Sequence, residues 1–260
     1  MAAKVLNSNG KLVFSTGNIL SINDLKKKPA ANPKEELIDV INYTLKEYVE
    51  KGNTVDGQLN HPILISRDSD LYAKIEENGV EDLKIGFKVF LSSDNEALLK
   101  DAIENALKQQ LKVDQVDNII VAFNGKQSEA KKDCLNEIKS VWKSLEKYVD
   151  NHVVKELGIA DIDESAFRAL YEWAVVKPKI IQINLATCCI VPPTLQQFCK
   201  DNDIKLLTHS DSSEILSRST IQEIFNRAMD LEWAVRFTIH IKCRGVLTTK
   251  GYVLCFNQIS

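Results

Sequence analysis

The apolar positions of this chain change period along its length, and the changes mark out its elements. Beyond residue 60, short apolar runs alternate with longer segments that are apolar on one side only. Pro62–Ser66, Lys84–Leu91, Asn118–Phe123, Val153–Ala160, Ile180–Ala186 and Ile204–Thr208 read as strands. Between them, Asn95–Leu111 places Leu98, Leu99, Ala102, Ile103, Ala106 and Leu107 on one helical side, and Asp133–Val149 does the same with Leu135, Ile138, Trp142 and Leu145. Asp163–Val175 and Thr194–Asn202 complete the helical set. Strands that are apolar throughout and alternate with helices predict a parallel sheet covered on its outer face.

The two ends follow other rules. Asn9-Gly10 is a two-residue turn signal between Lys4–Leu6 and Leu12–Phe14, so residues 3–14 predict a small hairpin. Asn32-Pro33-Lys34-Glu35-Glu36 predicts a helix start: a capping side chain, a proline in the first turn, and acids facing the positive end of the dipole. Leu37, Ile41, Leu45 and Tyr48 carry that helix on. Thr220–Met229 predicts a last helix, and Trp233–Cys243 with Gly251–Phe256 a final strand and returning hairpin. The 260 residues are close to the roughly 250 of one (β/α)8 barrel. The expected fold is therefore α/β: a single domain over residues 1–260, a shortened TIM-type barrel with an N-terminal hairpin and a β-rich C-terminal end.

Composition narrows the function classes. An apolar fraction of 44% against 27% charged residues allows a large core. A net charge of −3 without a charged tail argues against nucleic acid. No apolar run approaches the ~20 residues of a membrane span, and the N-terminus lacks an apolar signal core. Six irregularly spaced cysteines without a CxxC, and four scattered histidines, fit free thiols rather than a disulfide framework or a metal site. A cytoplasmic protein is the expectation.

Barrels keep their chemistry at the C-terminal ends of the strands. Those positions hold Arg67, Asp68 and Asp70; Lys88; Ala122 and Phe123; Asp161; Thr187, Cys188 and Cys189; and Thr208 to Asp211. Cys188-Cys189 reads either as a redox-sensitive or partner-facing pair or as two small buried hydrophobes; adjacent cysteines close only a strained ring. His209-Ser210-Asp211 has triad residue types, but neighbours on a strand alternate in direction and no nucleophile elbow accompanies them.

Leu99 to Phe123, Trp142 to Asp161, residues 177–185 and Phe198 to Ile204 together resemble the aldo-keto reductases, over roughly residues 84–211. Residues 15–20, 182–193, 205–211 and 242–254 are similar to one non-catalytic branch of that family, the regulatory subunits of glutamate-cysteine ligase, over nearly the whole chain. The resemblance implies a barrel closed below by a hairpin. It also implies one partner, the ligase catalytic subunit, joined in a heterodimer that uses glutamate better and is less inhibited by glutathione. In that branch the C-terminal part is implicated in binding the catalytic subunit. Cys243 and Cys255 therefore join Cys188 and Cys189 as partner-binding or redox candidates.

Of the reductase tetrad, Lys88 matches as a relic. Asp68 and Tyr72 match weakly, being four apart where the family spaces them five, and the strand that should end in His ends in Ala122-Phe123. The nicotinamide-binding Ser-Asn is replaced by Ala160-Asp161, and Ser217-Arg218-Ser219 only imitates a 2′-phosphate cluster. The expectation is no catalysis and no cofactor. The alternative is an NADPH-dependent carbonyl reductase with a degenerate tetrad.

Overall fold

The computed structural model describes residues 10–23, 32–52, 63–67, 71–123, 134–185 and 191–259. Its strands are β1 (Lys11–Ser15), β2 (Ile63–Ser66), β3 (Leu83–Leu91), β4 (Val116–Phe123), β5 (Val154–Ala160), β6 (Ile180–Asn184), β7 (Lys205–His209), β8 (Met229–Ile241) and β9 (Val246–Gln258). Its α-helices are α1 (Pro33–Glu50), α2 (Leu71–Asn78), α3 (Glu96–Glu104), α4 (Cys134–Asp150), α5 (Glu164–Trp173), α6 (Pro193–Asp201) and α7 (Arg218–Phe225).

The helix starts follow from local chemistry. Asn32 Oδ1 accepts from the Glu35 amide at 2.9 Å, with Pro33 in the first turn, as the sequence predicts. Asn95 and Asp163 cap α3 and α5 in the same way. The expected helix Asn95–Leu111 is not uniform. It turns π-helical over Asn105–Leu111 and ends at Lys112 with φ 52°. Where the wider turns begin, the Asp101 carbonyl accepts both the Asn105 backbone N–H and, at 2.8 Å, Asn105 Nδ2. Helix α2 was not expected. The last helix stops at Phe225, before Met229, because Asn226 takes a left-handed conformation (φ 54°) and Met229 already belongs to β8.

All nine strands form one sheet in the order β2-β1-β9-β8-β3-β4-β5-β6-β7. β3 to β7 are parallel neighbours, the run that the alternating pattern predicts. β8 and β9 form a long antiparallel hairpin and stand between β1 and β3. Consequently β1 and β2, parallel to each other, run opposite to β3–β7. The described arm of the expected N-terminal hairpin, Leu12–Phe14, lies in this sheet between β2 and β9; its other arm, Lys4–Leu6, lies outside the described residues. No ladder joins β7 to β2 among the described residues.

Alternation along the strands sends side chains to two faces. On one face Phe87, Val89, Ile119, Val121 and Leu157 pack with Leu99 and Ile103 of α3, Trp142 and Leu145 of α4, and Phe167 of α5. On the other, Phe90, Ile120, Ala122 and Ala160 share a second apolar cluster with Phe14, Leu254 and Phe256, closed by Val40 and Ile41 of α1 and Ile221 and Phe225 of α7. Trp142 satisfies its indole by donating to the Val176 carbonyl at 3.0 Å.

The β9 strand passes tightly under the segment that follows β1. A Cβ at Gly251 would stand 2.2 Å from the Gly17 carbonyl oxygen and 2.3 Å from Phe237 Cζ. Because one obstacle is backbone, Gly251→Ala should lower stability by about 1–3 kcal/mol or more. Urea unfolding of the variant within half that range of the parent would show that the approach is not tight.

Candidate functional site

The parallel strands bring several predicted strand-end residues together. Lys88 lies on β3, His209 ends β7, Asp161 directly follows β5, Asp211 comes two residues after β7, and Arg236 lies on β8 opposite Lys88. Lys88 Nζ donates to Asp211 Oδ2 at 2.7 Å. Arg236 grips the same carboxylate with two prongs, Nη1 to Oδ1 at 2.5 Å and Nη2 to Oδ2 at 3.0 Å. Asn184 Nδ2 donates to the Asp211 carbonyl at 2.6 Å. The side chains of Lys88 and Asp211 are only 4% and 3% exposed.

His209 joins the two acidic residues. Its Nε2 is 2.9 Å from Asp161 Oδ1, so that nitrogen carries the hydrogen. Its Nδ1 accepts from the Asp211 amide at 3.2 Å and lies 3.2 Å from Asp211 Oδ2. Neutral, the ring binds the amide; protonated, it has the carboxylate to donate to. Asp161 holds its place in a left-handed conformation, φ 63°.

The charges act on one another strongly in this setting. Burial pushes the Asp211 carboxyl up, but hydrogen bonds from His209 and Arg236 and the charges of Arg236 and Lys88 outweigh it, holding the group well below the usual carboxylate range. Burial would lower His209, yet its bonds to Asp161 and Asp211 raise it overall. Lys88 is lowered, chiefly by burial, and only partly rescued by Asp211. Tyr252, on β9 opposite Arg236, donates to Glu36 Oε1 at 3.2 Å; burial raises its phenol.

This is a different constellation from the one the tetrad predicts. Tyr72 is exposed on α2 with Lys112 Nζ above its ring, and it does not join Lys88. The buried tyrosine near the cluster is Tyr252, and its raised pKa is the wrong direction for a general acid working near neutrality. Arg67 is taken up by Glu47 and the Asn18 carbonyl. Cys243 is exposed in the turn between β8 and β9. Cys255 is fully buried, with Sγ 3.5 Å from Glu232 Oε2 and its thiol pushed up by burial, so it presents no sulfur to a partner. Asp68, Cys188 and Cys189 lie outside the described residues. Sequence reasoning passed over Arg236, Asn184 and Tyr252. One signal was available: in Trp233–Ile241 the polar residues Arg236, Thr238 and His240 recur at every second position.

The chain belongs to the aldo/keto reductase family, whose model matches residues 71–228. The fold is accordingly a shortened barrel of that type. Its curated relatives include regulatory subunits of glutamate–cysteine ligase: that of Homo sapiens is 33% identical over 97% of this chain and 95% of the relative, and that of Rattus norvegicus 32% over the same shares. Among solved structures, the aldose reductase of Giardia lamblia is 20% identical, covering 46% of this chain and 42% of that one with a TM-score of 0.35, too slight an overlap to add to the assignment.

The nicotinamide dinucleotide that reductases of this family use does not fit the residues present. Asp161 is committed to His209. At the other end, Ser217-Arg218-Ser219 opens α7 beside a cavity of about 750 Å³. Arg218 is taken up there by Asp230, and Glu214 and Glu232 also line the space. A 2′-phosphate would meet three carboxylates against one already paired guanidinium.

The buried cluster sets a pH profile for stability. Asp211 is lowered in the fold, so its contribution is full above the unfolded value near 3.8 and is lost as pH falls below it. His209 is raised, so its contribution is full below 6.5 and fades as pH rises through the folded value. Asp211→Asn should flatten the acid limb. At neutral pH it should cost about 3–5 kcal/mol, because Lys88 and Arg236 lose their buried counter-charge. Chemical unfolding at several pH values checks this; an unchanged acid limb in the variant would refute the assignment.

Proposed function

We propose that this chain is a non-catalytic regulatory subunit that binds the catalytic subunit of a glutamate–cysteine ligase in the cytoplasm, as a heterodimer, and activates it. The observation that carries the proposal is a likeness running end to end: 97% of this chain aligns with 95% of the human regulatory subunit. The site supports it. Lys88, the matching member of the tetrad, spends its charge on Asp211 inside the protein, and the neighbouring phenol is raised rather than activated. No helix among the described residues is long and apolar enough to cross a membrane.

Regulation of this kind is a population shift. By preferring one conformation of the catalytic chain, the subunit changes glutamate use and sensitivity to glutathione only as far as its affinities for the two states differ. A stable pair should bury at least about 1,200 Å² in total. Among the thiol candidates for the partner-facing surface, Cys243 is supported by its exposure; Cys188 and Cys189 rest on the sequence likeness alone. Family membership favours a second reading, a carbonyl reductase using NADPH, against the misfit of the dinucleotide site.

Mixing the chain with a ligase catalytic subunit should give co-elution and a lower glutamate KM. Separate elution with an unchanged KM refutes the proposal. Aldehyde-dependent oxidation of NADPH that disappears in Lys88→Met would instead establish the reductase.

A further inference from the structure

A second cavity, of about 460 Å³, lies on the same sheet face as the buried cluster, toward the N-terminal ends of β3–β7. That is the end opposite the one where a barrel keeps its reacting groups. Register places its walls. Lys84 pairs with His240, Gly86 with Thr238 and Lys88 with Arg236 across β3 and β8, so these residues form rungs along the two strands. Gly86 also pairs with Asn118 on β4, and its missing side chain makes room for that amide: a Cβ there would stand 2.8 Å from Asn118 Oδ1.

The charge of this cavity is one-sided. Lys84, Lys88, Arg236, His240 and Lys242 line it, and among the described residues no Asp or Glu does. Asp211 balances Lys88 and Arg236 from behind. Lys84 has no carboxylate partner among the described residues, and Lys242 Nζ donates only to the Glu81 backbone carbonyl. His240 is lowered, by burial first and then by the charge of Lys84, as expected where positive charge gathers without relief. In a protein of net charge −3, such a concentration is a local feature rather than a reflection of composition. A cleft lined by one sign focuses its field on small ions of the other.

The wall also carries an unmet acceptor. Gln182 Oε1 is buried and has no hydrogen-bond partner among the described residues. Such an atom requires a donor, and cations alone would explain only the anionic part of a guest. Asn118 and Thr238 add further polar groups beside it.

We propose that this cavity binds a small dicarboxylate that also carries an N–H group, of the acidic amino acid or acyl-amino acid class. Its carboxylates face Lys84, His240 and Lys242, and its N–H donates to Gln182 Oε1 once that side chain turns toward the guest. The volume suits a ligand of that size. The inference does not rest on the regulatory reading, because it concerns the isolated chain.

The test is calorimetric titration of the purified chain with three probes: N-acetyl-L-glutamate, glutarate, which has two carboxylates and no N–H, and inorganic phosphate. N-acetyl-L-glutamate should bind saturably and more tightly than glutarate, and more weakly as salt rises. Lys84→Gln, an exposed position whose loss leaves the fold intact, should weaken it about 3- to 10-fold. Gln182→Met should abolish the preference over glutarate, with thermal unfolding confirming a folded variant. Absence of saturable binding, phosphate binding as tightly as N-acetyl-L-glutamate, or indifference to Lys84→Gln would each overturn the proposal.

Discussion

Two cations, Lys88 and Arg236, meet one carboxylate, Asp211, in a space where none of the three could stay charged alone. Moving any of them from water costs several kcal/mol, and only close pairing with the remaining donors satisfied returns that cost. The three come from β3, β8 and the segment after β7. Through His209 the network reaches Asp161 after β5, and through Asn184 it reaches β6. Electrostatic necessity therefore ties the parallel half of the sheet to the antiparallel hairpin. The apolar clusters could tolerate small shifts in strand position; a bidentate contact of 2.5 and 3.0 Å could not.

That constraint also explains how a reductase architecture persists without its arrangement of groups. Lysine at a strand end is useful to a reductase only with a tyrosine beside it. Here the lysine is claimed by Asp211, the exposed tyrosine stands apart on α2, and the buried one binds Glu36. A buried lysine needs a counter-charge whatever its chemical task. Arg236 with Asp211 supplies a stable setting in which Lys88 remains part of the interior.

Much of this was legible in the sequence where periodicity and capping decide structure. The run from β3 to β7, the Asn32-Pro33 helix start and the placing of Asp161, His209 and Asp211 at or just beyond strand ends follow from local pattern; their meeting around Lys88 does not. Strand order did not. Nothing in Trp233–Ile241 says that this strand will pair with β3 rather than with β7, because that choice depends on contacts far apart in the chain. Arg236 escaped notice for the same reason: its partner is 25 residues away, beyond the end of a strand that is not its neighbour. The π-helical turns after Glu104 escaped because apolar periodicity does not register a change from α- to π-helical turns.

The pairing of β1 with β9 joins Lys11 to Asn257 and Ser15 to Val253. A ladder between segments so far apart can close only after Val253 to Asn257 have left the ribosome. Until then β1 and β2 have a free edge, and the apolar cluster under α1 lacks Leu254 and Phe256. Such long-range closure makes folding slow and leaves strand edges open to other chains in the interval. During synthesis, the N-terminal strand thus depends on a C-terminal one that does not yet exist.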